Sequence, residues 1–457
     1  MAITTNSGNA PTSLPPSAKK AIAAATIGNA LEWYDIIVYG IFAATIAKVF
    51  FPTDDPAVGL MITLGTFGVS FLIRPLGAIV LGAYADRAGR KKSLMVSIWL
   101  MMGATAVIAF MPNFATIGLA APILVILARL VQGFAAGGEF GSATAYLVEQ
   151  SPNRRGFMGS WQFASQGVST LLAAGFGAIL FATLNNVQME DWGWRLPFIF
   201  GLLIGPVGIW IRRTLDESPE FEARRKEVES ASADVNTPAA SPVSGTRPGM
   251  TTAHAPGGSV ILQLLRSQKV MVLLAMGSLA LSTALNYMIL YMPTYAITEL
   301  KLPAAMSFAA TAITGVVLVV LTPLVGILSD RIGHVKMTSI AGVVILLAII
   351  PLFHWLSSAP SVIVLLTVMF ILGVLKSCYY GALPALMAGC FPTETRSTGL
   401  ALSYNLGVMA FGGFTPAIIA WLIALTGNEL SPAFYIVLIA VFSLAILFAL
   451  RRKTGMK

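Results

Sequence analysis

The stretch "GAYADRAGRKK", residues 82–92, occurs again later in the chain as "GILSDRIGHVK", residues 326–336. Both copies follow the pattern G-x-x-x-D-R-x-G-x-x-K, and each comes after a long apolar run. A second pair of loops, "SPNRRG" at 151–156 and "FPTETRSTG" at 391–399, repeats at nearly the same offset. Two pairs of motifs in register predict a tandem repeat made of two similarly built halves.

The composition of the chain points to a membrane environment. Of its 457 residues, 56% are hydrophobic and only 11% are charged, whereas soluble domains have about 25% charged residues. A soluble fold of this size could not cover its surface with so few charges, so we predict an integral membrane protein. Its two cysteines, Cys378 and Cys390, lie in or near apolar runs and do not indicate a disulfide framework.

The apolar runs have the length of membrane-spanning helices. A helix needs about 20 mainly apolar residues to cross a bilayer, and long unbroken runs favour helices over strands. We therefore predict an all-α membrane protein with twelve spans. Numbered in chain order, spans 1 to 12 cover residues 21–49, 57–84, 93–111, 117–148, 157–184, 194–211, 269–298, 304–328, 336–356, 361–389, 397–425 and 431–450.

A long polar segment divides the spans into two groups of six. We predict a disordered tail at 1–20, a first half at 21–211, a linker at 212–265, a second half at 266–450 and a short tail at 451–457. The linker begins with the charged "RRTLDESPEFEARRKEVES", which fits a short surface helix. It continues with a stretch rich in Ala, Ser, Pro and Gly, which is typical of flexible linkers.

The basic residues indicate the orientation. Most of the 29 Lys and Arg lie in the two tails and in the loops after spans 2, 4, 6, 8 and 10, on what we call the basic side. The opposite side has only Lys48, Arg195 and Lys301. The positive-inside rule therefore predicts a multi-pass protein of the inner (plasma) membrane with both termini in the cytoplasm. The net charge of +9 then reflects cytoplasmic loops and does not indicate nucleic-acid binding.

Several motifs resemble those of a transporter family. "GAYADRAGRKK" resembles the signature loop of the major facilitator superfamily, and "RLVQGFAAGGEFG" at 129–141 resembles its fourth-helix motif. "GNALEWYDIIVYG" at 28–40, "DWGWRLPF" at 191–198 and "FGGFTPAI" at 411–418 resemble the metabolite–proton symporter family within it. The resemblance implies two six-helix lobes that rock around a central cavity. It also implies a proton-coupled carrier, most similar to the citrate–proton symporters.

Acidic side chains inside the spans are candidates for proton coupling. A charge at the bilayer centre costs about 2.5–3.5 kcal/mol on insertion scales, so such a group faces a wet cavity or a partner. Glu32 and Asp35 in span 1 are three residues apart and share one helix face. Glu139 in span 4 is the third candidate. Structural pairing with a basic residue or a helix end is the alternative for each.

Cations inside the spans suggest an anionic substrate. Arg129 lies in span 4 and Lys376 in span 10, so each half contributes one cation, as an anion with separated carboxylates would require. A buried ion pair with Glu139 or a span 1 acid is the alternative for Arg129. For Arg74 in span 2 we expect a structural role.

Neutral polar side chains on the spans are candidates for completing such a site, although each one alone also fits hydrogen bonding between helices. These residues are Gln132, Gln162, Gln166, Asn286, Tyr291 and Tyr380. By resemblance, Asp86 and Arg90 in the first signature loop have a gating role, together with Asp330 and Arg331 in its repeat. Glycines 133, 137 and 141 of span 4, four residues apart, predict close helix packing.

Enzymatic motifs are missing from the sequence. It has no H-E-x-x-H, no G-x-S-x-G and no P-loop, and its three histidines are scattered. We therefore predict a monomeric, cofactor-free and metal-free proton symporter for a di- or tricarboxylate such as citrate or 2-oxoglutarate. The alternatives are symport of a zwitterionic osmolyte such as proline or betaine, symport of an aromatic carboxylate, or a membrane sensor without transport activity.

Overall fold

The computed structural model describes residues 16–88, 90–213, 264 and 266–456. Within these ranges the chain is helical and contains no strand. Helices are expected because the bilayer core offers no water to the backbone, so each segment must satisfy its own N–H and C=O groups.

The first half contains six spans, several of which are broken into two helices. Span 1 bends by 67° between its two helices. Span 2 breaks at Ile73, and span 4 breaks at residues 136–138. Spans 1 to 6 comprise Pro16–Ile41 with Ala43–Phe50, Pro56–Leu72 with Arg74–Ala88, Arg90–Phe110, Ala120–Ala135 with Glu139–Glu149, Arg155–Thr183, and Arg195–Arg213. Short helical turns at Phe114–Ile117, Pro152–Arg154, Asn186–Gln188 and Met189–Gly193 connect them.

The second half also contains six spans. Its spans 10 and 11 are broken, and only the break in span 10 has a counterpart in the equivalent span of the first half, span 4. Spans 7 to 12 comprise Lys269–Thr298, Ala304–Ile332, His334–Ser358, Val362–Tyr380 with Leu383–Gly389, Arg396–Phe411 with Thr415–Thr426, and Ser431–Thr454, with a short turn at Thr393–Thr395 before span 11.

The predicted twelve-span fold is confirmed. Ten helical stretches of the described chain are long and apolar enough to cross a membrane, and the bent pair of span 1 adds an eleventh. Arg195–Arg213, at the position predicted for span 6, is the twelfth. The first helix of span 1 begins at Pro16, inside the predicted tail. Proline is well tolerated in the first turn of a helix. Most of the predicted linker lies outside the described residues.

Glycines allow neighbouring helices to touch, as the spacing in span 4 predicts. A Cβ at Gly133 would collide with the backbone carbonyl of Ser70, and one at Gly137 with that of Arg74, both in span 2. A Cβ at Gly141 would collide with the carbonyl of Ser397 in span 11. Span 4 is therefore pressed against span 2 within its own half and against span 11 across the interface.

The two halves meet along spans 5 and 8. Gly167 of span 5 and Gly315 of span 8 face each other, and a Cβ on Gly315 would come within 2.8 Å of the Gly167 carbonyl oxygen. Within the first half, span 1 packs on spans 5 and 6, and within the second half, span 7 packs on spans 11 and 12. The arrangement leaves a space between the halves at mid-height.

Candidate functional site

A cavity lies between the two halves, and we call it the central cavity. In this closed conformation its volume is about 10 Å³, which is roughly the space that one water molecule needs. Spans 1 and 5 line it from the first half, and spans 7, 10 and 11 line it from the second. The lining residues are Trp33, Phe163, Gln166, Leu279, Ser282, Thr283, Asn286, Tyr287, Tyr380, Tyr404 and Val408.

The central cavity is closed towards the basic side by contacts between the halves. The carboxylate of Asp330, at the end of span 8, accepts hydrogen bonds from the backbone N–H groups of Gly156 (2.6 Å) and Phe157 (3.0 Å) at the start of span 5. Arg396 of span 11 forms a 2.6 Å ion pair with Glu149 of span 4. An acid at a helix N-terminus is stabilised by the helix dipole, so Asp330 joins the halves firmly.

Aromatic rings close the cavity towards the opposite side. Phe308 of span 8 packs against Phe42 of span 1 and Phe181 of span 5, with ring centroids 5.4 and 5.0 Å apart. Phe414 of span 11 packs against Gly68 of span 2, and Phe71 of span 2 packs against Gly413 of span 11. A Cβ at either glycine would overlap the facing ring. The structure therefore has the cavity closed at both ends.

Of the four predicted gating residues, the structure describes the side chains of two. Asp330 makes the contact across the halves given above, and Arg331 is exposed. The side chains of Asp86 and Arg90 lie outside the described residues, so their predicted role stays a prediction.

Lys376 stands at the edge of the central cavity. Its side chain is 1% exposed. Its ammonium group donates a 2.5 Å hydrogen bond to Oδ1 of Asn286 and lies 4.9 Å from the centre of the Tyr380 ring. Asn286 and Tyr380 both line the cavity. Within the described chain, Lys376 has no carboxylate partner, so its charge is compensated only by an amide oxygen and a π-face.

Arg74 is the cation that the first half presents near this cavity. Its side chain is 1% exposed, and its guanidinium lies 5.0 Å from the ring of Trp33 and 4.8 Å from that of Phe71. It reaches the neighbourhood of the Tyr404 hydroxyl, and its Nη2 has no hydrogen-bond partner. The sequence interpretation gave Arg74 a structural role. Its contacts with the lining residues Trp33 and Tyr404 make it a candidate for substrate recognition.

Arg129 lies elsewhere, inside the first half. Its guanidinium is fully buried, donates to the hydroxyl of Ser70 (3.2 Å) and stacks over the ring of Tyr39 at 4.5 Å. It is not among the residues that line the central cavity. The described cations that contact the lining of the central cavity are therefore Arg74 in the first half and Lys376 in the second, and a role of Arg129 in substrate binding stays a prediction.

A chain of hydrogen bonds connects Arg129 to Asp35. Nη1 of Arg129 donates to Oε1 of Gln132 (2.8 Å), and Nε2 of Gln132 donates to the hydroxyl of Thr105 (2.9 Å). That hydroxyl in turn donates to Oδ2 of Asp35 (2.9 Å). The expected buried ion pair is thus replaced by an indirect link through two neutral groups. Three spans contribute to it, which is why sequence spacing could not predict it.

A second cavity lies wholly within the first half, and we call it the acidic cavity. All three acids predicted for proton coupling, Glu32, Asp35 and Glu139, line it. Together with them, spans 1, 3, 4 and 6 contribute Gly28, Leu31, Ser97, Ile98, Met101, Met102, Ala135, Gly201 and Gly205. The shared face of Glu32 and Asp35 predicted from their spacing therefore borders this space and not the central cavity.

The remaining predicted residues are divided between the cavities and the helix contacts. Gln166 lines the central cavity. The Gln162 side chain donates to Oδ1 of Asn29 at 2.9 Å and so joins spans 5 and 1. Tyr291 is buried in span 7 outside the lining of either cavity.

Eight lining residues escaped the sequence analysis, and five of them can form hydrogen bonds, namely Trp33, Ser282, Thr283, Tyr287 and Tyr404. Aromatic and small hydroxyl side chains are common on all spans, so their type alone is uninformative. One signal was available in span 7, where small polar residues punctuate the apolar run "GSLALSTALNY". That span is 89% buried over its most apolar window, while every other candidate span is half buried or less.

Comparison with known proteins gives a consistent result. A family described as "Sugar (and other) transporter" matches residues 20–454. A citrate–proton symporter from Klebsiella pneumoniae is 37% identical over 437 residues, which cover 95% of this chain and 92% of that protein. A proline/betaine transporter from Escherichia coli (strain K12) is 34% identical over 430 residues, covering 93% of this chain and 82% of that protein.

Among solved structures, the fold is similar to that of the Escherichia coli xylose transporter XylE in a partially occluded inward-open conformation. The TM-score is 0.71, and the match covers 94% of this chain and 99% of that one. At 15% identity, this likeness concerns the fold alone.

Proposed function

This chain belongs to the sugar (and other) transporter family of the major facilitator superfamily, and from that membership we propose that it is a proton symporter for a di- or tricarboxylate. Citrate and 2-oxoglutarate are the candidate substrates. The substrate binds in the central cavity between the halves, and the acids of the first half couple its uptake to protons.

The observation that supports an anionic substrate is the charge around the central cavity. Among the described residues, none that lines this cavity is a carboxylate, while Lys376 and Arg74 contact its lining from opposite halves. A buried cation without an anionic partner is costly. A bound carboxylate would supply that partner and form charge-assisted hydrogen bonds, which are stronger than neutral ones.

The neutral lining supports a polar substrate of modest size. Gln166, Asn286, Ser282 and Thr283 present hydrogen-bonding groups to the cavity. Nε2 of Gln166 is buried without a hydrogen-bond partner, and a substrate oxygen would satisfy it. Carboxylate and hydroxyl oxygens of a hydroxy or oxo acid match such donors.

A zwitterionic osmolyte such as betaine is the second candidate, and a specific feature favours it. Aromatic rings of Trp33, Tyr287, Tyr380 and Tyr404 surround the cavity, and such rings attract a quaternary ammonium group. We rank it second because two nearby cations would repel that group. A monocarboxylate would also leave one cation without an anionic partner.

Asp35 is the acid we propose for proton coupling. Its carboxylate is 6% exposed and stands at the end of the chain of hydrogen bonds that begins at Arg129. Protonation of Asp35 would neutralise one end of this chain and weaken its attraction for Arg129. Glu32 and Glu139 line the same cavity and are the proposed partners in proton transfer.

The remaining proposals concern the membrane location and the oligomeric state. We propose that the chain lies in the inner (plasma) membrane with both termini cytoplasmic, as the positive-inside rule predicts. A single chain supplies both halves and all residues of the central cavity, which supports function as a monomer.

Uptake by purified protein in liposomes tests this proposal. With an inward proton gradient, the protein should accumulate labelled citrate or 2-oxoglutarate, and a protonophore should abolish the accumulation. An aromatic acid, proline and betaine are tested in parallel. Accumulation of betaine or proline alone would refute the organic-anion proposal, and transport of none of these compounds would favour the sensor.

A further inference from the structure

The acidic cavity and the central cavity are separate. They share no lining residue, although both border span 1. The central cavity lies between the halves, whereas spans 1, 3, 4 and 6 of the first half alone form the acidic cavity. A group that moves through the acidic cavity therefore does not pass the substrate site.

The acidic cavity extends from Asp35 towards the basic side. Along span 1 it is bordered by Asp35, Glu32 and Gly28, and seven residues of helix correspond to about 10 Å. Span 1 begins on the basic side, so Gly28 is nearer to that side than Asp35. Along span 6, which runs in the opposite direction, the border continues from Gly201 to Gly205.

At the Asp35 end of the cavity, one carboxylate oxygen is left without a hydrogen-bond partner. Oδ2 of Asp35 accepts from Thr105, whereas Oδ1 is buried without a hydrogen-bond partner. A Cβ at Gly201 would overlap Oδ1. Because residue 201 is a glycine, span 6 packs closely on this oxygen without displacing it, while Asp35 itself borders the cavity.

Among the described residues, the ionisable side chains that line the acidic cavity are all carboxylic acids. Glu32 and Glu139 line it, and Tyr34 is adjacent on span 1. Arg129 is linked to Asp35 through Gln132 and Thr105. Span 6 contributes glycines to the lining. A lining whose ionisable side chains are all carboxylates favours hydronium over anions.

We propose that the acidic cavity is a proton-exit route that connects Asp35 with the basic side while the substrate site is still closed. This inference rests on the proposed function. The proton on Asp35 passes to a water molecule in the cavity as hydronium, and then by way of Glu32 or Glu139 to the basic side. Asp35 is left as a carboxylate that accepts from Thr105. Proton and substrate thus leave by different paths, and the proton leaves first.

Labelling of single cysteines tests the route independently of transport. In a variant with Cys378→Ser and Cys390→Ser, Ser97→Cys reports on the acidic cavity and Ser282→Cys on the central cavity. Inside-out membrane vesicles are treated with small cationic and anionic methanethiosulfonates, with and without saturating citrate. We expect the cationic reagent to label Ser97→Cys at least about 10-fold faster than the anionic one, because charged clefts concentrate counter-ions by roughly 10- to 1,000-fold.

Citrate should protect Ser282→Cys and leave Ser97→Cys reactive. Equal labelling of Ser97→Cys by the two reagents, or its protection by citrate to the same extent as Ser282→Cys, would overturn the separate route. If citrate protects neither cysteine although the cationic preference at Ser97→Cys is present, the proposed substrate fails while the cation route stands.

Filling the acidic cavity provides the second test. Gly205→Leu places a side chain against the flexible Met102, whose sulfur lies 2.5 Å from the Cβ position. The matched control is Gly175→Leu in span 5, where a Cβ meets nothing within 4 Å. We expect Gly205→Leu to slow proton-driven uptake by at least about 10-fold, the effect of 1.4 kcal/mol on a barrier, while substrate counterflow at equal pH continues.

The control variant should match the unchanged protein in both assays. Normal proton-driven uptake by folded Gly205→Leu protein would overturn the proposal. Equal loss of uptake and counterflow would also overturn it, since the cavity would then support the fold or the substrate site. Failure of the unchanged protein to transport any carboxylate is a different result and would refute the proposed function instead.

Discussion

The two halves of the molecule use charge in different ways. In the first half, Asp35 and Arg129 belong to one continuous chain of hydrogen bonds, with further acids beside it. In the second half, Lys376 is bonded to a neutral amide at the edge of the central cavity. The halves repeat each other in loop motifs and in the order of their spans, but their span sequences differ, so the shared fold holds different charged groups in each half. This difference suggests that proton chemistry belongs to the first half and that the second half contributes to substrate charge recognition.

The largest expected effect comes from removing the carboxylate of Asp35, at the end of the chain of hydrogen bonds that begins at Arg129. Asp35→Asn removes the proton-binding carboxylate and preserves a group that can still accept from Thr105. Proton-driven accumulation of substrate should fall to the level of protein-free liposomes, while exchange of preloaded substrate continues.

Parallel assays of accumulation and counterflow measure this effect. The matched variant is Glu32→Gln, which should retain partial coupling if Asp35 is the main proton carrier. If Asp35→Asn abolishes exchange as well, in protein that inserts normally, then Asp35 has a binding or folding role and the division between the halves fails.

The next effect concerns the cation of the second half. Lys376→Gln removes one charge-assisted hydrogen bond to the substrate, worth about 1.5–3 kcal/mol, so affinity should fall by roughly 10- to 150-fold. Lys376→Arg should retain part of the affinity because the charge remains while the geometry changes. Calorimetric titration of citrate in detergent measures both.

The same titration sharpens the role of Arg74. If Lys376 and Arg74 bind separate carboxylates, Arg74→Gln should weaken citrate binding and affect a monocarboxylate less. Unchanged binding of every acid by Lys376→Gln would place this lysine outside the site and would remove the charge argument for an anion.

A smaller effect is expected from removing Gln132, a neutral member of the chain of hydrogen bonds between Arg129 and Asp35. Gln132→Leu removes the charge-assisted bond from Arg129 and the neutral bond to Thr105. The neutral bond, which lies on the Asp35 side, is worth about 0.5–1.5 kcal/mol, or about 2- to 12-fold in an equilibrium. The proton concentration that half-activates uptake should shift by a factor of this order, with substrate affinity unchanged.

Gln162→Leu is the matched control for this prediction. It removes a side-chain amide from the same half. That amide donates to Asn29 and does not belong to the chain of hydrogen bonds between Arg129 and Asp35. An identical shift for both variants would mean that general loosening of the first half, and not the link between Arg129 and Asp35, controls coupling.

The smallest effect concerns the contacts that hold the halves together. The ion pair between Arg396 and Glu149 is partly exposed, with Glu149 at 43%, and such pairs contribute about 0–1 kcal/mol. Glu149→Gln should therefore raise the reactivity of Ser282→Cys from the basic side by at most about 5-fold. Asp330→Asn should raise it more, because Asp330 accepts from two backbone N–H groups. The reverse order would show that the ion pair is the main contact.

The sequence predicted the fold well because hydrophobic length is a local property. Each of the twelve predicted spans has a helical counterpart, and the bounds of span 7 agree at both ends. The interior acids were also recognisable, since a carboxylate within an apolar run needs a wet or polar surrounding wherever the helix packs. The glycine spacing in span 4 indicated close contact for the same reason, because a missing side chain leaves room whatever the neighbour.

The tertiary structure decided which of these residues share a cavity. Arg74 and Arg129 look alike in sequence, yet Arg74 contacts the lining of the central cavity and Arg129 lies among Tyr39, Phe67 and Gln132. The rotation of a helix and the identity of its neighbours depend on contacts between distant segments, which spacing along one segment does not encode. By itself the sequence determined a two-fold repeat of membrane helices with charges that must be sheltered. Only the packing of spans 1, 3, 4 and 6 decided that the acids face a cavity of their own.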